Sequence, residues 1–177
     1  MKKLICSLLS VLGLLSFAAT AAERPLLVVT EIVEIAAKPD KVWHLLKRFD
    51  AVKEWHPAFS ESQIISGRDG KIGAIRRLTV KDGPSFTEEL LALSEQGKSF
   101  TYNVIESPLP ITDYLSSVGV KSNAAGGTTV IWVGQFRRKN AVDNPPEGES
   151  DAGAVAFITG AYQGGLANLK RLMETSK

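Results

Sequence analysis

The sequence predicts an α+β fold that combines a seven-stranded antiparallel sheet, two short helices and a long C-terminal helix. Three observations support it. A β-branched segment at 26–36 precedes two short helical patterns, and six alternating segments separated by turn residues then follow one another at short intervals. A broad apolar face extends over 151–174. We expect one domain over 22–177, which is long enough to form a single hydrophobic core.

The N-terminus carries the pattern of a secretory signal peptide. Lys2 and Lys3 precede an uncharged apolar run at 4–18, and Ala19-Thr20-Ala21 fits the A-x-A cleavage pattern. We therefore expect residues 1–21 to be removed and the mature chain to be periplasmic or secreted. The alternative is an uncleaved N-terminal anchor. The run is shorter than the ~20 residues of a spanning helix, and no later segment predicts stable membrane insertion.

Composition restricts the partners of the predicted mature chain. Loss of Lys2 and Lys3 brings the formal charge of +2 close to zero, and no basic stripe is present, which argues against nucleic acid. Cys6 is the only cysteine and would leave with the signal peptide. An exported domain without disulfides depends on its own hydrophobic core. We predict no cofactor.

The first strand and the two short helices follow from local patterns. Segment 26–36 alternates and is rich in β-branched residues, which is typical of a strand. A helix is predicted over 38–49, with Pro39 in its first turn and apolar residues at helical spacing. A second short helix is predicted over 51–55. It ends before Pro57, because proline disfavours helix for the residue before it.

The antiparallel meander and the last helix complete the pattern. Six strands are predicted at 60–67, 72–80, 86–94, 99–106, 111–121 and 128–138. A polar Pro/Gly loop covers 140–150, after which Asp151 is predicted to cap the final helix. The middle of this helix contains Gly160, Gly164 and Gly165. Either they allow a close approach to the sheet or they leave volume for a ligand.

The order of these elements and four short motifs resemble the helix-grip superfamily. Its members include START lipid-transfer domains, birch-pollen-allergen-like proteins and the polyketide cyclase/dehydrase group. The family pattern P-x-x-V-W-x-x-L-x-x-F stands here within AKPDKVWHLLKRFD, and the other motifs are Trp55-His56-Pro57, Gly73-Ala74-Ile75-Arg76 and Trp132 with Phe136. The similarity covers essentially the whole mature chain. Among exported members, the chain is most similar to periplasmic accessory proteins of bacterial methanol-oxidation systems.

The resemblance implies a curved sheet that wraps around the long helix and encloses an apolar cavity. It therefore implies a ligand pocket and does not by itself imply a reaction. Ten residues are predicted to contact the ligand: Trp55, His56, Arg76, Glu88, Tyr102, Leu109, Tyr114, Trp132, Phe157 and Tyr162. Aromatic and apolar side chains with a few polar groups are typical of such pockets.

Metal binding and nucleophilic catalysis find little support in the sequence. His44 and His56 are the only histidines, and they show no metal-ligand spacing. The predicted mature chain lacks cysteine and a G-x-S-x-G motif. We therefore predict no metal and assign no catalytic residue. His56 either donates a hydrogen bond into the cavity mouth or bonds only local backbone.

Arg76 and Leu109 carry two further hypotheses. Arg76 shares a strand face with apolar residues, so it needs a partner, which Glu88 or Glu89 could supply. The pair either holds a ligand carboxylate or hydroxyl, or is purely structural. In hormone-receptor relatives with this fold, two loops close over the ligand, and the loop at 106–113 occupies one of these positions. We expect Leu109 to cover the mouth opposite Trp55 and His56.

The predicted function is the binding of a small hydrophobic or amphipathic molecule, or a lipid, without catalysis. Two alternatives stay open. One is an accessory protein that docks on a periplasmic redox enzyme, whose mark would be an exposed apolar patch outside the cavity. The other is a polyketide cyclase/dehydratase-like enzyme, which would require a titratable group with a shifted pKa inside the pocket.

Overall fold

Seven strands form one antiparallel sheet in the computed structural model, which describes residues 24–175. The predicted signal peptide and its cleavage site lie outside the described residues. The strands are β1 (Leu27–Ile35), β2 (Phe59–Ser66), β3 (Ile75–Val80), β4 (Ser85–Ser94), β5 (Ser99–Glu106), β6 (Ile111–Ser122) and β7 (Thr128–Arg138). Their order in the sheet is β1-β7-β6-β5-β4-β3-β2. The predicted α+β class and the six-stranded meander are confirmed.

Two short helices connect β1 to β2, and a long helix ends the described chain. These helices are α1 (Pro39–Leu46), α2 (Val52–Trp55) and α3 (Asp151–Thr175). A 3₁₀ turn at Phe49–Ala51 separates α1 from α2. After Trp55 the backbone becomes extended at His56, as expected before Pro57. No helix among the described residues is long and apolar enough to cross a membrane.

Strand β3 begins later than the sequence predicts. Ile72 was expected to open it, yet the strand starts at Ile75 and the Ile72 side chain is 69% exposed. Gly73 adopts a φ of +84°, a left-handed conformation that interrupts an extended strand and that glycine tolerates. Its N–H donates to the Leu90 carbonyl at 2.8 Å, so the loop stays attached to β4.

The residue that caps α3 is Ser150, one position before the predicted Asp151. Ser150 Oγ accepts a hydrogen bond from the Gly153 N–H at 3.0 Å, the usual geometry of a helix N-cap. Asp151 lies in the first turn, where its carboxylate favours the positive end of the helix dipole. Its Oδ1 pairs with Arg138 Nε at 2.9 Å, which connects the start of α3 to the end of β7.

Helix α3 lies against the inner face of the sheet, and its second half is attached to β1 and to Ala36, which directly follows β1. Its buried side is formed by Ala154, Ile158, Tyr162, Gly165, Leu166 and Leu169. Polar bonds fix its second half: Gln163 Nε2 donates to Glu31 Oε1 at 3.2 Å, and Glu174 Oε1 accepts the Ala36 N–H at 2.9 Å. The core of the protein therefore lies between this helix and the curved sheet.

The three glycines in the middle of α3 have different surroundings. A Cβ at Gly165 would lie 2.5 Å from His56 Cδ2 and 3.1 Å from Trp132, so this glycine is required for close packing. Added Cβ atoms at Gly160 and Gly164 would meet nothing within 4 Å. Gly160 lines the cavity described below, whereas Gly164 is exposed. Gly165 thus allows the close approach of α3 to the sheet, whereas Gly160 leaves volume in the cavity.

Gly165→Ala and Gly164→Ala should have opposite effects on stability. Alanine at 164 improves helix propensity, and we expect the free energy of unfolding to rise by up to about 1 kcal/mol. Alanine at 165 must displace His56 or Trp132, and we expect a loss of about 1–3 kcal/mol. Urea denaturation of both variants measures the difference. Equal changes in the free energy of unfolding for the two variants would contradict the close packing of α3 at Gly165.

Candidate ligand-binding site

A cavity of about 340 Å³ lies between α3 and the inner face of the sheet. Its volume is within the range of small-molecule pockets, which is roughly 300–1,000 Å³. Nine of the ten predicted contact residues line it: His56, Arg76, Glu88, Tyr102, Leu109, Tyr114, Trp132, Phe157 and Tyr162. The tenth, Trp55, is not among the lining residues. It is buried in the core and packs edge-on against Trp132, with ring centroids 5.6 Å apart.

The remaining wall of the cavity is apolar. It is formed by Val52, Ala58, Phe59, Leu78, Val80, Phe86, Val104, Ile111, Ile158, Gly160 and Ala161. Phe157 lines the cavity but is 41% exposed, and Gly160 is exposed as well. These two residues therefore mark the mouth, on the α3 side. Leu109, in the β5–β6 loop, is partly buried and also lines the cavity, and its N–H donates to Ser107 Oγ at 2.9 Å.

The charged groups in the cavity wall form one buried ion pair. Arg76 and Glu88 are directly opposite each other on β3 and β4 and are each 4% exposed. Arg76 Nε and Nη2 lie 2.7 and 2.6 Å from the same carboxylate oxygen, Glu88 Oε2. The predicted choice between Glu88 and Glu89 is thus decided by strand register, which places Glu89 opposite Ile75 on the other face.

Three further contacts hold the guanidinium of Arg76. Its Nη1 donates to the Phe49 carbonyl, its Cζ lies 3.9 Å from the centre of the Phe49 ring, and the Tyr102 ring is 5.3 Å away. Such cation–π contacts stabilise a desolvated cation. Burial raises the pKa of Glu88, and the nearby charge of Arg76 opposes this rise. The pair is therefore stable only as long as both members are present.

Beside this pair, five side chains form a buried hydrogen-bonded network. It consists of Tyr102, Tyr114, Ser116, Trp132 and Tyr162. Tyr114 and Tyr162 are the closest pair, with 2.6 Å between hydroxyl oxygens, while Tyr102 and Tyr114 are 3.2 Å apart. Trp132 and Tyr162 also stack, with centroids 4.1 Å apart and planes inclined by 11°.

The directions of these hydrogen bonds follow from the two groups with fixed roles. Ser116 Oγ donates to the Val133 carbonyl at 2.9 Å, and the Trp132 indole can only donate. Tyr162 must then donate to Ser116, Tyr114 to Tyr162, and Tyr102 to Tyr114. Every donor in the network is used. The Tyr102 hydroxyl stands at its end, and its bond to Tyr114 is long for two hydroxyl groups.

The tyrosines of this network are hydrogen-bonding groups and not bases at neutral pH. Burial raises the pKa of Tyr102 to about 12 and raises the pKa values of Tyr114 and Tyr162 as well. Neighbouring acidic groups, including Glu88, contribute to the rise. All three phenols therefore keep their protons, and the network presents a neutral surface to the cavity.

His56 bonds backbone through both ring nitrogens. Nε2 donates to the Ala161 carbonyl of α3 at 2.9 Å, and Nδ1 accepts the Ala58 N–H at 3.2 Å. Only the face and edge of the ring line the cavity. Burial lowers the pKa of His56 to about 4, and the positive charge of Arg76 contributes. The imidazole is therefore neutral at pH 7, and it links the corner after α2 to the middle of α3.

Two groups that build the polar end are absent from the sequence prediction. Ser116 and the Phe49 carbonyl were not identified. Alternation along β6 could have indicated Ser116, which lies two residues after Tyr114 and so shares its face. The Phe49 carbonyl has no sequence signal, because any residue type supplies one. Within residues 24–175, no three His, Cys, Asp or Glu side chains are grouped so that they could hold a metal ion.

Acidification should destabilise the protein through His56. The pKa is near 6.5 in the unfolded chain and about 4 in the folded one, so the unfolded state binds more protons between these values. The free energy of unfolding should fall by about 3 kcal/mol as the pH drops through this window. Because the pKa of Glu88 is raised in the folded state, protonation of Glu88 on acidification favours the folded state and partly offsets this loss of stability.

Comparison with His56→Gln isolates the effect of the imidazole, because the amide can still donate to the Ala161 carbonyl. Denaturant titrations at several pH values should show that the variant loses less stability on acidification than the unchanged protein. The same pH dependence in both proteins would contradict a buried neutral His56.

Comparison with known proteins agrees with this geometry. The chain is 23% identical over 148 residues to the abscisic acid receptor PYL10 of Arabidopsis thaliana, covering 82% of this chain and 78% of the receptor. The structure is similar to that of XoxI from Bacillus cereus, with a TM-score of 0.71 and 28% identity over 82% of this chain and 94% of the other. Ginseng major latex-like protein 151 from Panax ginseng gives a TM-score of 0.62 at 21% identity, covering 84% and 95%.

The family model described as "Polyketide cyclase / dehydrase and lipid transport" matches residues 27–174, which include every strand and nearly all of α3. The helix-grip architecture and the cavity beneath α3 agree with that match. The chain belongs to the polyketide cyclase/dehydrase and lipid transport family.

Proposed function

We propose that the protein binds a small apolar or amphipathic molecule in the cavity beneath α3 and carries it without converting it. The observation that supports this most directly is the separation of the cavity wall into two parts. Most of the wall is apolar, while Arg76, Glu88, Tyr102 and Tyr114 form a polar end. A molecule with an apolar body and one polar group is complementary to such a wall.

Binding accounts for the cavity better than catalysis does. His56 uses both nitrogens on backbone, the three tyrosines are held protonated, and Glu88 is paired with Arg76. General acid–base chemistry needs a group that exchanges a proton near the working pH. A ligand-binding role requires only that these groups stay in place. We further propose that the protein acts in the periplasm or outside the cell, on the basis of its predicted signal peptide.

Native mass spectrometry of protein purified from the extracytoplasmic fraction of its own host tests this proposal. We expect an additional mass that organic extraction releases unchanged. Gly160→Trp should lose that mass and should bind the neutral dye N-phenylnaphthylamine at least tenfold more weakly, because the indole occupies the mouth. Leu109→Ser should weaken dye binding to a smaller extent, because it removes an apolar part of the wall.

Gly164→Trp is the matched control, since Gly164 is on the same helix but points to open space. It should retain both the bound mass and the dye affinity. An empty protein whose dye affinity is the same in all variants would contradict the proposal. Recovery of a chemically altered ligand after incubation would instead support the enzyme alternative.

A second candidate function is docking on a periplasmic redox enzyme. One observation favours it: apolar side chains on the outer face of β1, away from the cavity, are exposed. Val28 is 60% and Ile32 is 58% exposed, and the register places partly exposed Ile131 next to Ile32. These three residues form an outer β1 patch. Exposed apolar patches of this kind are typical of interaction surfaces.

If the outer β1 patch is the docking surface, charged residues placed at its centre should prevent docking. A Val28→Lys/Ile32→Lys variant should lose co-purification of a periplasmic dehydrogenase, identified by mass spectrometry and by its redox activity. Ile65→Lys on β2 is the control, because Ile65 is 42% exposed but lies on the opposite edge strand. Equal co-purification with all three proteins would exclude the outer β1 patch as the docking surface, and co-purification with none of them would contradict the accessory function.

A further inference from the structure

We infer that the buried polar end of the cavity selects an uncharged ligand that carries a hydroxyl group, and that it discriminates against carboxylates. This inference rests on the proposed function and specifies the chemical class of the ligand. It follows from three features of the cavity wall, which are its charge balance, the unused carboxylate oxygen of Glu88, and the hydrogen-bonding roles of the neighbouring side chains.

The charges of the cavity wall cancel. Arg76 and Glu88 are the charged residues among those that line the cavity, and they are paired at 2.6 Å. His56 is also in the wall, but its Nε2–H and Nδ1 are both engaged with backbone. A ligand carboxylate would therefore bring one uncompensated negative charge into a buried site. Desolvation of an unpaired ion is strongly unfavourable.

The carboxylate of Glu88 is used on one side only. Both contacts with Arg76 are made to Oε2, and among residues 24–175 no donor reaches Oε1. Glu88 faces the cavity and its side chain is 6% exposed, so a bound ligand would be the nearest source of a donor. An ionised carboxylate only accepts hydrogen bonds. A ligand that displaces water from this end of the cavity therefore has to supply the donor itself.

The surrounding groups leave room for such a donor. Glu88 pairs with Val104 across β4 and β5, and Tyr102 lies two residues before Val104, so both side chains are on the inner face. The Tyr102 hydroxyl is the end of the hydrogen-bonded network and adds an acceptor oxygen. Arg76 has N–H groups beyond those bonded to Glu88 and Phe49. A hydroxyl can donate to Glu88 and accept from Arg76.

Other polar groups fit this end less well. A ketone or ester oxygen can accept from Arg76, but it leaves Glu88 Oε1 without a donor, and an unsatisfied buried acceptor is costly. A carboxylate faces Glu88 with the same charge. An ammonium group would add a positive charge near Arg76. The expected order of affinity is therefore alcohol, then ketone, then carboxylate, for ligands with the same apolar chain.

Three ten-carbon probes test this order on the unchanged protein: decanol, methyl octyl ketone and decanoate. Calorimetric titration at about pH 8, where a carboxylic acid is ionised, should rank decanol as the tightest ligand. We expect the ketone to bind roughly tenfold more weakly and decanoate roughly a hundredfold more weakly. Decanoate or ketone affinity equal to that of decanol would overturn the inference, although binding as such would still support the proposed function. Binding of none of the probes would contradict both.

Glu88→Gln changes the charge balance and should change the preference. Removal of the negative charge leaves the buried Arg76 without its counter-charge, so decanoate should gain affinity while decanol loses it. Glu89→Gln is the matched control, because Glu89 is adjacent in sequence but lies on the outer face of β4. Its probe ranking should equal that of the unchanged protein. A Glu88→Gln protein that folds and keeps the original ranking would also overturn the inference.

Discussion

The stacking of Tyr162 on Trp132 determines how closely α3 approaches the sheet. The rings are 4.1 Å apart and nearly parallel, and the Tyr162 hydroxyl is directly above Gly134, where any side chain would collide with it. One turn further along the helix, Gly165 allows His56 and Trp132 to lie close to the helix backbone. Tyr162 and Trp132 also line the cavity, which extends from their contact towards Gly160, where an added Cβ would meet nothing. The contact between Tyr162 and Trp132 therefore sets the position of α3 and forms part of the cavity wall at the same time.

The hydroxyl and indole groups at the polar end of the cavity are hydrogen-bonded to one another and to backbone. The Ser116 hydroxyl accepts hydrogen bonds from Trp132 and Tyr162 and donates one to the Val133 carbonyl. The hydrogen bonds between the tyrosine hydroxyls all run in one direction, from Tyr102 through Tyr114 to Tyr162. The buried ion pair is supported by the Phe49 ring and carbonyl. A fully bonded polar network of this kind is rigid, because each group holds the next in place. The site is therefore organised before any ligand enters, which reduces the cost of binding.

Much of this site could be predicted from sequence because strand alternation is a local property. Alternation placed Arg76 on the inner face of its strand among apolar residues, and the structure shows it buried there. Prediction was less complete where a feature depends on backbone conformation or on distant residues. Strand β3 starts later than expected because Gly73 adopts a left-handed conformation, and Trp55 packs against Trp132 without lining the cavity. The cap of α3 was misplaced by one residue, because Ser150 and Asp151 are both good capping residues.

The order of the elements, the inner-face position of Arg76 and its need for a buried partner all follow from the amino-acid sequence alone. These features depend on hydrophobic periodicity and on residues close together in the chain. The folded arrangement was needed to show that Glu88 is that partner and that both nitrogens of His56 are bonded to backbone. It was also needed to separate Gly160, which lines the cavity, from Gly165, which packs against His56 and Trp132. These outcomes depend on strand register and on the height of α3 above the sheet. Both are set by packing between residues that are far apart in the chain.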